Sequence, residues 1–163
     1  MANFYQVAKD MELEGKKFYE NLSKESEVKE LKGVFDFLAL QEEVHYYAFS
    51  RMEGNEEVSI EDKKNAVKEA REIFSKIAPD FSAPAELNTA AETYKKALEL
   101  EKNAVKYYTE LLSSAETEDQ KNVLKHIISE EESHVQVLEA LIDFVNRPNE
   151  YLEDAEFTHL ETY

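Results

Sequence analysis

The feature that most constrains this chain is an internal repeat, in which one helical pattern recurs at an offset of 89 residues. Steps of three and four residues place side chains on a single helix face. In the first half that face is Tyr5, Ala8, Glu12, Gly15, Tyr19 and Leu22; in the second half it is Tyr94, Ala97, Glu101, Ala104, Tyr108 and Leu111. The sequence therefore predicts two helices with nearly the same buried face.

A second pattern follows each of these helices and repeats at the same offset. It comprises Leu31, Phe35, Leu38, Glu42, His45, Phe49 and Met52, and then Gln120, Leu124, Ile127, Glu131, His134, Leu138 and Leu141. A Glu-x-x-His pair falls in the middle of each apolar stripe, and residues three apart share a helix face. An unpaired carboxylate there would cost several kcal/mol or keep its proton. Ionisable residues at the centres of four apolar stripes need a common explanation.

Capping and helix-breaking residues divide the chain into five helical segments. The predicted ranges are about 3–26, 28–53, 59–78, 83–114 and 117–147. Gly54-Asn55 ends the second helix, and Thr117 with Gln120 forms a capping box at the last. The short turns near residues 27 and 116 join antiparallel hairpins.

The connection between the two hairpins, about residues 54–84, is long enough to run back along a bundle. One long crossover between two hairpins is the ferritin-like topology. We therefore predict an all-α, ferritin-like four-helix bundle of two antiparallel hairpins joined by a long, partly helical crossover. The bundle is assigned to residues 1–148, and residues 149–163 form an acidic C-terminal tail.

The four central glutamates lie at one predicted depth in the bundle. Glu12 and Glu42 are equally far from the first turn, as Glu101 and Glu131 are from the second, and at 1.5 Å per residue each lies roughly 20 Å from its turn. Two Glu-x-x-His helices and one Glu from each of two others form the ligand set of di-iron and di-manganese carboxylate bundles. The predicted ligands are Glu12, Glu42, His45, Glu101, Glu131 and His134.

The charges and the donor atoms both suit a dinuclear site. Four carboxylates and two neutral imidazoles offset two divalent cations, and oxygen and nitrogen donors without sulfur favour iron or manganese, with zinc as a substitute. A single Glu-x-x-His in so Glu-rich a chain is as often solvated surface. Two copies in register, each matched to an inward glutamate, favour the metal site.

Composition excludes several other functions. The formal net charge of −17 disfavours binding to nucleic acid or to an anionic membrane. There is no long apolar stretch or signal-peptide pattern, so we expect a soluble cytoplasmic protein. The chain has no cysteine, which excludes thiolate zinc sites, iron–sulfur clusters and cysteine nucleophiles.

Several further polar residues lie beside the predicted ligands in the sequence. Glu43 and Glu132 each lie two residues from a histidine and are interpreted as solvated. Gln41 and Glu130 precede Glu42 and Glu131, and a role in orienting a histidine is a hypothesis for both. His126 lies off the buried stripe and is not a predicted ligand.

Four local signatures resemble the rubrerythrin family of the ferritin-like superfamily over about residues 3–147. They are Met11-Glu12 followed by Phe18-Tyr19, Glu101 followed by Tyr107-Tyr108, Glu42-Glu43-Val44-His45, and Glu131-Glu132-Ser133-His134. By that resemblance Glu42 and Glu131 bridge two metals, Glu12 and Glu101 are terminal ligands, and His45 and His134 complete the set. The resemblance also implies that Tyr19 and Tyr108 are catalytic residues that donate hydrogen bonds to carboxylates. The alternative is that both are ordinary core aromatics.

The same resemblance implies a reaction. Rubrerythrins reduce hydrogen peroxide at two irons, so we expect a peroxidase that takes electrons from an external donor such as a rubredoxin, because no Cys-rich rubredoxin domain is present. Rubrerythrins also carry a further glutamate where this chain has Ala104, which argues against rubrerythrin-type metal movement. Reaction with dioxygen, ferritin-like iron oxidation and storage, manganese catalase activity and a non-catalytic metal-stabilised module are the alternatives. We expect a homodimer or a higher homo-oligomer.

Overall fold

The computed structural model describes residues 2–58, 65–75 and 85–146. They form five helices: α1 (Ala2–Glu25), α2 (Lys29–Glu53), α3 (Ala66–Phe74), α4 (Ala85–Ser113) and α5 (Glu118–Asn146). The predicted acidic tail and parts of the predicted crossover lie outside the described residues. Among the described residues, no helix contains an apolar stretch of the length that crossing a membrane requires.

Local hydrogen bonds explain where the long helices begin and end. After α2 the chain turns at Asn55, whose φ of 55° is left-handed, and Glu56 N donates to Arg51 O at 2.8 Å. Asparagine tolerates this conformation and closes the helix, so Asn55 rather than Gly54 makes the turn. At the start of α5, Gln120 N donates to Thr117 Oγ1 at 3.1 Å, as the predicted cap requires.

The crossover helix α3 begins after a capping residue, Asn65. Asn65 is extended, and its Oδ1 accepts hydrogen bonds from Val67 N at 2.8 Å and Lys68 N at 3.3 Å. This N-cap fixes the first turn at Ala66. Residue 59, where the prediction starts this helix, lies outside the described residues.

The helices pair as two hairpins, α1 with α2 and α4 with α5, and α1·α4 and α2·α5 contacts close the bundle. One apolar cluster joins the α1–α2 turn to the start of α4 and the end of α5, with Leu22, Leu31, Tyr94 and Leu141 buried in it. Since the other ends of these helices meet in a second cluster, the crossover must connect opposite ends of the bundle. The predicted fold class is confirmed.

The crossover helix covers one end of this bundle. It packs against α2 and α5 and contributes Ala66 and Ala70 to the first apolar cluster. The second cluster, at the other end, contains Tyr5, Phe49 and Leu124. A layer of buried ionisable side chains lies between the two clusters, because the four stripes carry their charges at matching depths.

Candidate metal centre

The structure brings all six predicted ligand residues into one buried layer. Their relative exposures are Glu12 1%, Glu42 3%, His45 0%, Glu101 4%, Glu131 0% and His134 0%. Charged side chains are rarely buried so completely unless they are paired or bind a metal. The six predicted ligand residues therefore meet the first requirement of a shared metal site, which is that they lie together in the interior.

The six side chains form two overlapping groups, within each of which the candidate ligand atoms all lie within 4.8 Å of one another. Group 1 is Glu12, Glu42, His45 and Glu131, and group 2 is Glu42, Glu101, Glu131 and His134. Only Glu42 and Glu131 belong to both groups. Each group thus has one glutamate and one histidine of its own, together with two shared carboxylates.

The two buried tyrosines contact the carboxylates that the groups do not share. Tyr19 OH donates to Glu101 Oε1, and Tyr108 OH donates to Glu12 Oε1 at 2.7 Å. The two contacts are related by the offset of the sequence repeat, and each crosses between α1 and α4. The hydroxyl groups therefore fix the orientation of the two carboxylates, while a catalytic role for either tyrosine stays a prediction.

Both histidines turn the same ring nitrogen toward the carboxylates. His45 Nδ1 lies 2.8 Å from Glu131 Oε1, and His134 Nδ1 lies 3.2 Å from both Glu42 Oε1 and Glu101 Oε1. The imidazole rings are stacked, with centroids 6.1 Å apart. Each Nδ1 atom is therefore placed where it and the carboxylates could bind the same cation.

The opposite ring nitrogen of each histidine contacts a side chain on the outer side of the layer. Gln41 Oε1 lies 2.6 Å from His134 Nε2, and Glu130 Oε1 lies 3.2 Å from His45 Nε2. Gln41 Nε2 also donates to Glu130 Oε2 at 2.9 Å. Both contacts suggested by the sequence are present, and such contacts set the tautomer and the ring orientation of a metal-binding histidine.

Burial raises the pKa of two carboxyl groups in this layer. The pKa of Glu42 stands well above its ordinary value, because the side chain is buried and faces three other carboxylates. The pKa of Glu101 is raised to about 7, first by burial and then by the charge of Glu131. Glu101 therefore titrates near neutral pH in the metal-free protein, and burial among carboxylates favours the protonated form of Glu42.

The other four groups balance one another in charge. Burial lowers the pKa of both histidines, but the neighbouring carboxylates outweigh this effect. Glu12 and Glu131 raise the pKa of His45 well above its ordinary value. Glu101 raises the pKa of His134 to about 10. Burial likewise raises the pKa of Glu12 and Glu131, and hydrogen bonds and the imidazoles bring both below the ordinary value. Protons therefore supply the positive charge of the metal-free site.

The donor set and its unsatisfied atoms both fit a pair of divalent cations. Among the described residues, Glu12 Oε2 and Glu131 Oε2 are buried carboxylate oxygens that accept no hydrogen bond. Buried acceptors of this kind are costly unless a ligand satisfies them. Oxygen and imidazole donors without thiolate are the set that iron and manganese prefer.

A cavity of about 190 Å³ opens beside the layer, between α1 and α4. Four of the residues that line it are Gly15, Ala104, Glu12 and Glu101. The small side chains one turn from the two glutamates leave this space open. It lies on the side of the site away from the histidines.

A protein-family model described as Rubrerythrin matches residues 3–142. This chain belongs to the rubrerythrin family. Its members are ferritin-like di-iron carboxylate proteins, which agrees with the two overlapping groups of buried ligand atoms. No curated protein and no solved structure matches the chain.

In this rubrerythrin, one contact near the centre was missed by sequence reasoning. His126 Nε2 lies 2.9 Å from Glu130 Oε1, so a partly exposed histidine joins the side chain that contacts His45. The available signal was the i, i+4 spacing of the two residues on α5. It was passed over because His126 lies off the buried stripe.

Metal binding by this rubrerythrin should release protons. With a pKa of about 7 for Glu101 and about 10 for His134, both groups carry protons at pH 6, and ligands must lose them to bind a cation. Metal affinity should therefore rise as the pH rises from 6 to 8. Calorimetric titration with Mn²⁺ in two buffers of different ionisation enthalpy measures the release, and an apparent enthalpy independent of the buffer would contradict it.

Proposed function

We propose that this rubrerythrin holds two iron ions and reduces hydrogen peroxide to water with electrons from a separate donor protein. The observation that supports it best is the pair of overlapping ligand groups beside a small cavity. Glu12 and His45 would hold one ion, Glu101 and His134 the other, and Glu42 and Glu131 would bridge them.

The stoichiometry of the reaction suits a dinuclear centre. Hydrogen peroxide, two protons and two electrons give two molecules of water, and the O–O bond is the bond that breaks. Two ferrous ions held by the two ligand groups would supply the two electrons, one each, and the donor protein would restore them. No glycine-rich nucleotide-binding motif is present in the sequence, so direct reduction by a nicotinamide cofactor is not expected.

The tyrosines keep the terminal carboxylates in place during turnover. Burial, followed by the charges of nearby glutamates, raises the pKa of Tyr19 and Tyr108 well above the ordinary value. Both hydroxyl groups therefore stay protonated and continue to donate hydrogen bonds to Glu101 and Glu12. A carboxylate held in this way presents a constant orientation to its metal.

The cavity between α1 and α4 favours a very small substrate. Gly15 borders it, and a Cβ atom at Gly15 would lie 3.3 Å from Glu42 Cδ. A larger residue would therefore press on one of the proposed bridging carboxylates. Hydrogen peroxide and dioxygen both fit such a space, and a bulky organic substrate does not.

Ala104 supports a second candidate function, reaction with dioxygen. It lines the cavity where other rubrerythrins carry a further glutamate, so the site has one carboxylate fewer than the usual peroxidase set. Reaction with dioxygen, as in a ferroxidase, is the alternative that this difference favours.

The reduced protein should react faster with hydrogen peroxide than with dioxygen. Stopped-flow mixing of the diferrous protein with each oxidant, followed by absorbance of the oxidised centre, measures both rates. A protein in which Glu42 is replaced by alanine serves as the control, because it lacks a bridging carboxylate. Faster oxidation by air than by peroxide would replace the peroxidase assignment with a ferroxidase.

The metal content of the purified protein tests the proposal independently of any reaction. Protein from its native host should contain about two iron ions per chain. Manganese in their place would point to catalase activity, which releases dioxygen from peroxide without a donor. Zinc alone would favour the non-catalytic module, and a hollow multi-subunit shell filled with iron would favour storage.

A further inference from the structure

The two ligand groups are built from repeat-related residues, but the side chains that contact their histidines differ. The contacts of Tyr19, Tyr108 and the two histidines all recur at the offset of 89 residues. Gln41 and Glu130 are also related by that offset. Gln41 has a neutral amide and Glu130 has a carboxylate, so the two halves of the repeat differ in charge at this position.

Glu130 and Gln41 each contact the histidine of one ligand group directly. Glu130 Oε1 lies 3.2 Å from Nε2 of His45, which belongs to group 1. The amide oxygen of Gln41 lies 2.6 Å from Nε2 of His134, which belongs to group 2. The Gln41 amide also donates to Glu130 at 2.9 Å, which fixes the amide oxygen toward His134.

The two halves of the repeat also differ nearer the surface, at His126. It lies 2.9 Å from Glu130 Oε1, and the repeat places Phe37 at the corresponding position on α2. The Glu130 side chain is only 11% exposed, so it lies in a mainly low-dielectric environment with few competing waters. The two halves of the repeat therefore differ here, with an imidazole beside the Glu130 carboxylate and a phenyl ring at the corresponding position of α2.

We propose that Glu130 is a positioning residue that makes the two metal positions unequal, so that the position of group 1 binds its cation first and more tightly. The inference rests on the proposed metal centre but not on its reaction. A carboxylate that accepts a hydrogen bond from Nε2–H increases the electron donation of the imidazole at Nδ1, and a neutral amide does so less. Because Glu130 contacts His45, its negative charge would also act more strongly on a cation held by group 1.

Partial loading with Co²⁺ tests the inference without any measurement of activity. Crystals grown with one equivalent of Co²⁺ per chain give an anomalous scattering peak at each occupied position. In the unaltered protein the peak at group 1 should be several times higher than that at group 2. In Glu130→Gln the two peaks should be nearly equal, because both histidines then contact an amide.

A double variant, Gln41→Glu with Glu130→Gln, exchanges the two side chains and keeps the net charge. Its peak heights should be reversed in favour of group 2, an outcome that a merely structural role for Glu130 would not produce. It also keeps the test decisive if the single variant folds poorly. The variant His126→Phe, which retains Glu130, should keep the original order.

Binding isotherms for Co²⁺ provide the second measurement. Glu130→Gln should weaken the first binding step by about 10- to 100-fold, the usual effect of removing an outer partner of a metal ligand, and should bring the two steps together. Equal peak heights in the unaltered protein, or the same order of peaks in all variants, would overturn the inference while leaving the metal centre intact. Failure of the unaltered protein to bind Co²⁺ would overturn both.

Discussion

Replacing Glu42 with alanine should leave a folded chain that no longer holds two metal ions. Glu42 belongs to both ligand groups, so its loss removes a donor from each position at once. Burial and neighbouring carboxylates already raise its pKa, so the metal-free variant loses no stabilising charge and should fold at least as readily. We expect bound metal to fall from about two ions per chain to one or fewer. Glu131→Ala, which also removes a carboxylate from both groups, should lose metal to the same extent.

The neighbouring glutamates provide matched controls on the same helices. Glu43 is partly exposed and its carboxylate lies 3.7 Å from Lys16 Nζ, an ion pair worth at most about 1 kcal/mol. Glu132 is exposed on α5. Glu43→Ala and Glu132→Ala should therefore keep both metal ions. Equal metal loss from Glu42→Ala and Glu43→Ala, measured by elemental analysis of purified protein, would show that the ligands lie on another helix face.

Removing the metal should lower the melting temperature of the protein substantially. A ligand that binds only the folded state stabilises it by about 2.7 kcal/mol at one hundred times its dissociation constant. For a chain of this size that free energy corresponds to roughly 5–10 °C. Chelation followed by dialysis should produce this decrease, and adding ferrous iron without oxygen, or Mn²⁺, should reverse it.

The melting-temperature difference between the metal-bound and the metal-free protein should depend on pH, which gives a further check on the same experiment. Folding raises the pKa of Glu101 from 4.5 to about 7 and that of His134 from 6.5 to about 10. A raised pKa contributes stability at low pH that is lost as the pH rises through the folded-state value, so the metal-free protein should weaken between about pH 5 and 10. The stabilisation by metal should grow over this interval. Identical melting with and without metal would contradict a shared buried site.

The sequence by itself determined the bundle and the residues that meet at its centre. Glu12 and Glu101 recur at one offset within matching stripes, and so do the two Glu-x-x-His pairs. Helix geometry converts this spacing into depth, since each residue advances a helix by a fixed rise. Two tight turns and one long connection then leave one topology. For this reason the fold class, the helix pairing and the buried layer could be predicted without coordinates.

Tertiary structure alone decided which side chains contact each other across the bundle. The spacing places Tyr19 and Glu101 at similar depth, but only the packing of α1 on α4 turns the hydroxyl group toward that carboxylate. The contact between Gln41 and Glu130 likewise depends on the approach of α2 to α5. Sequence period fixes a side chain's position on its own helix, whereas contacts between helices depend on their rotation and separation, which packing of the whole core sets.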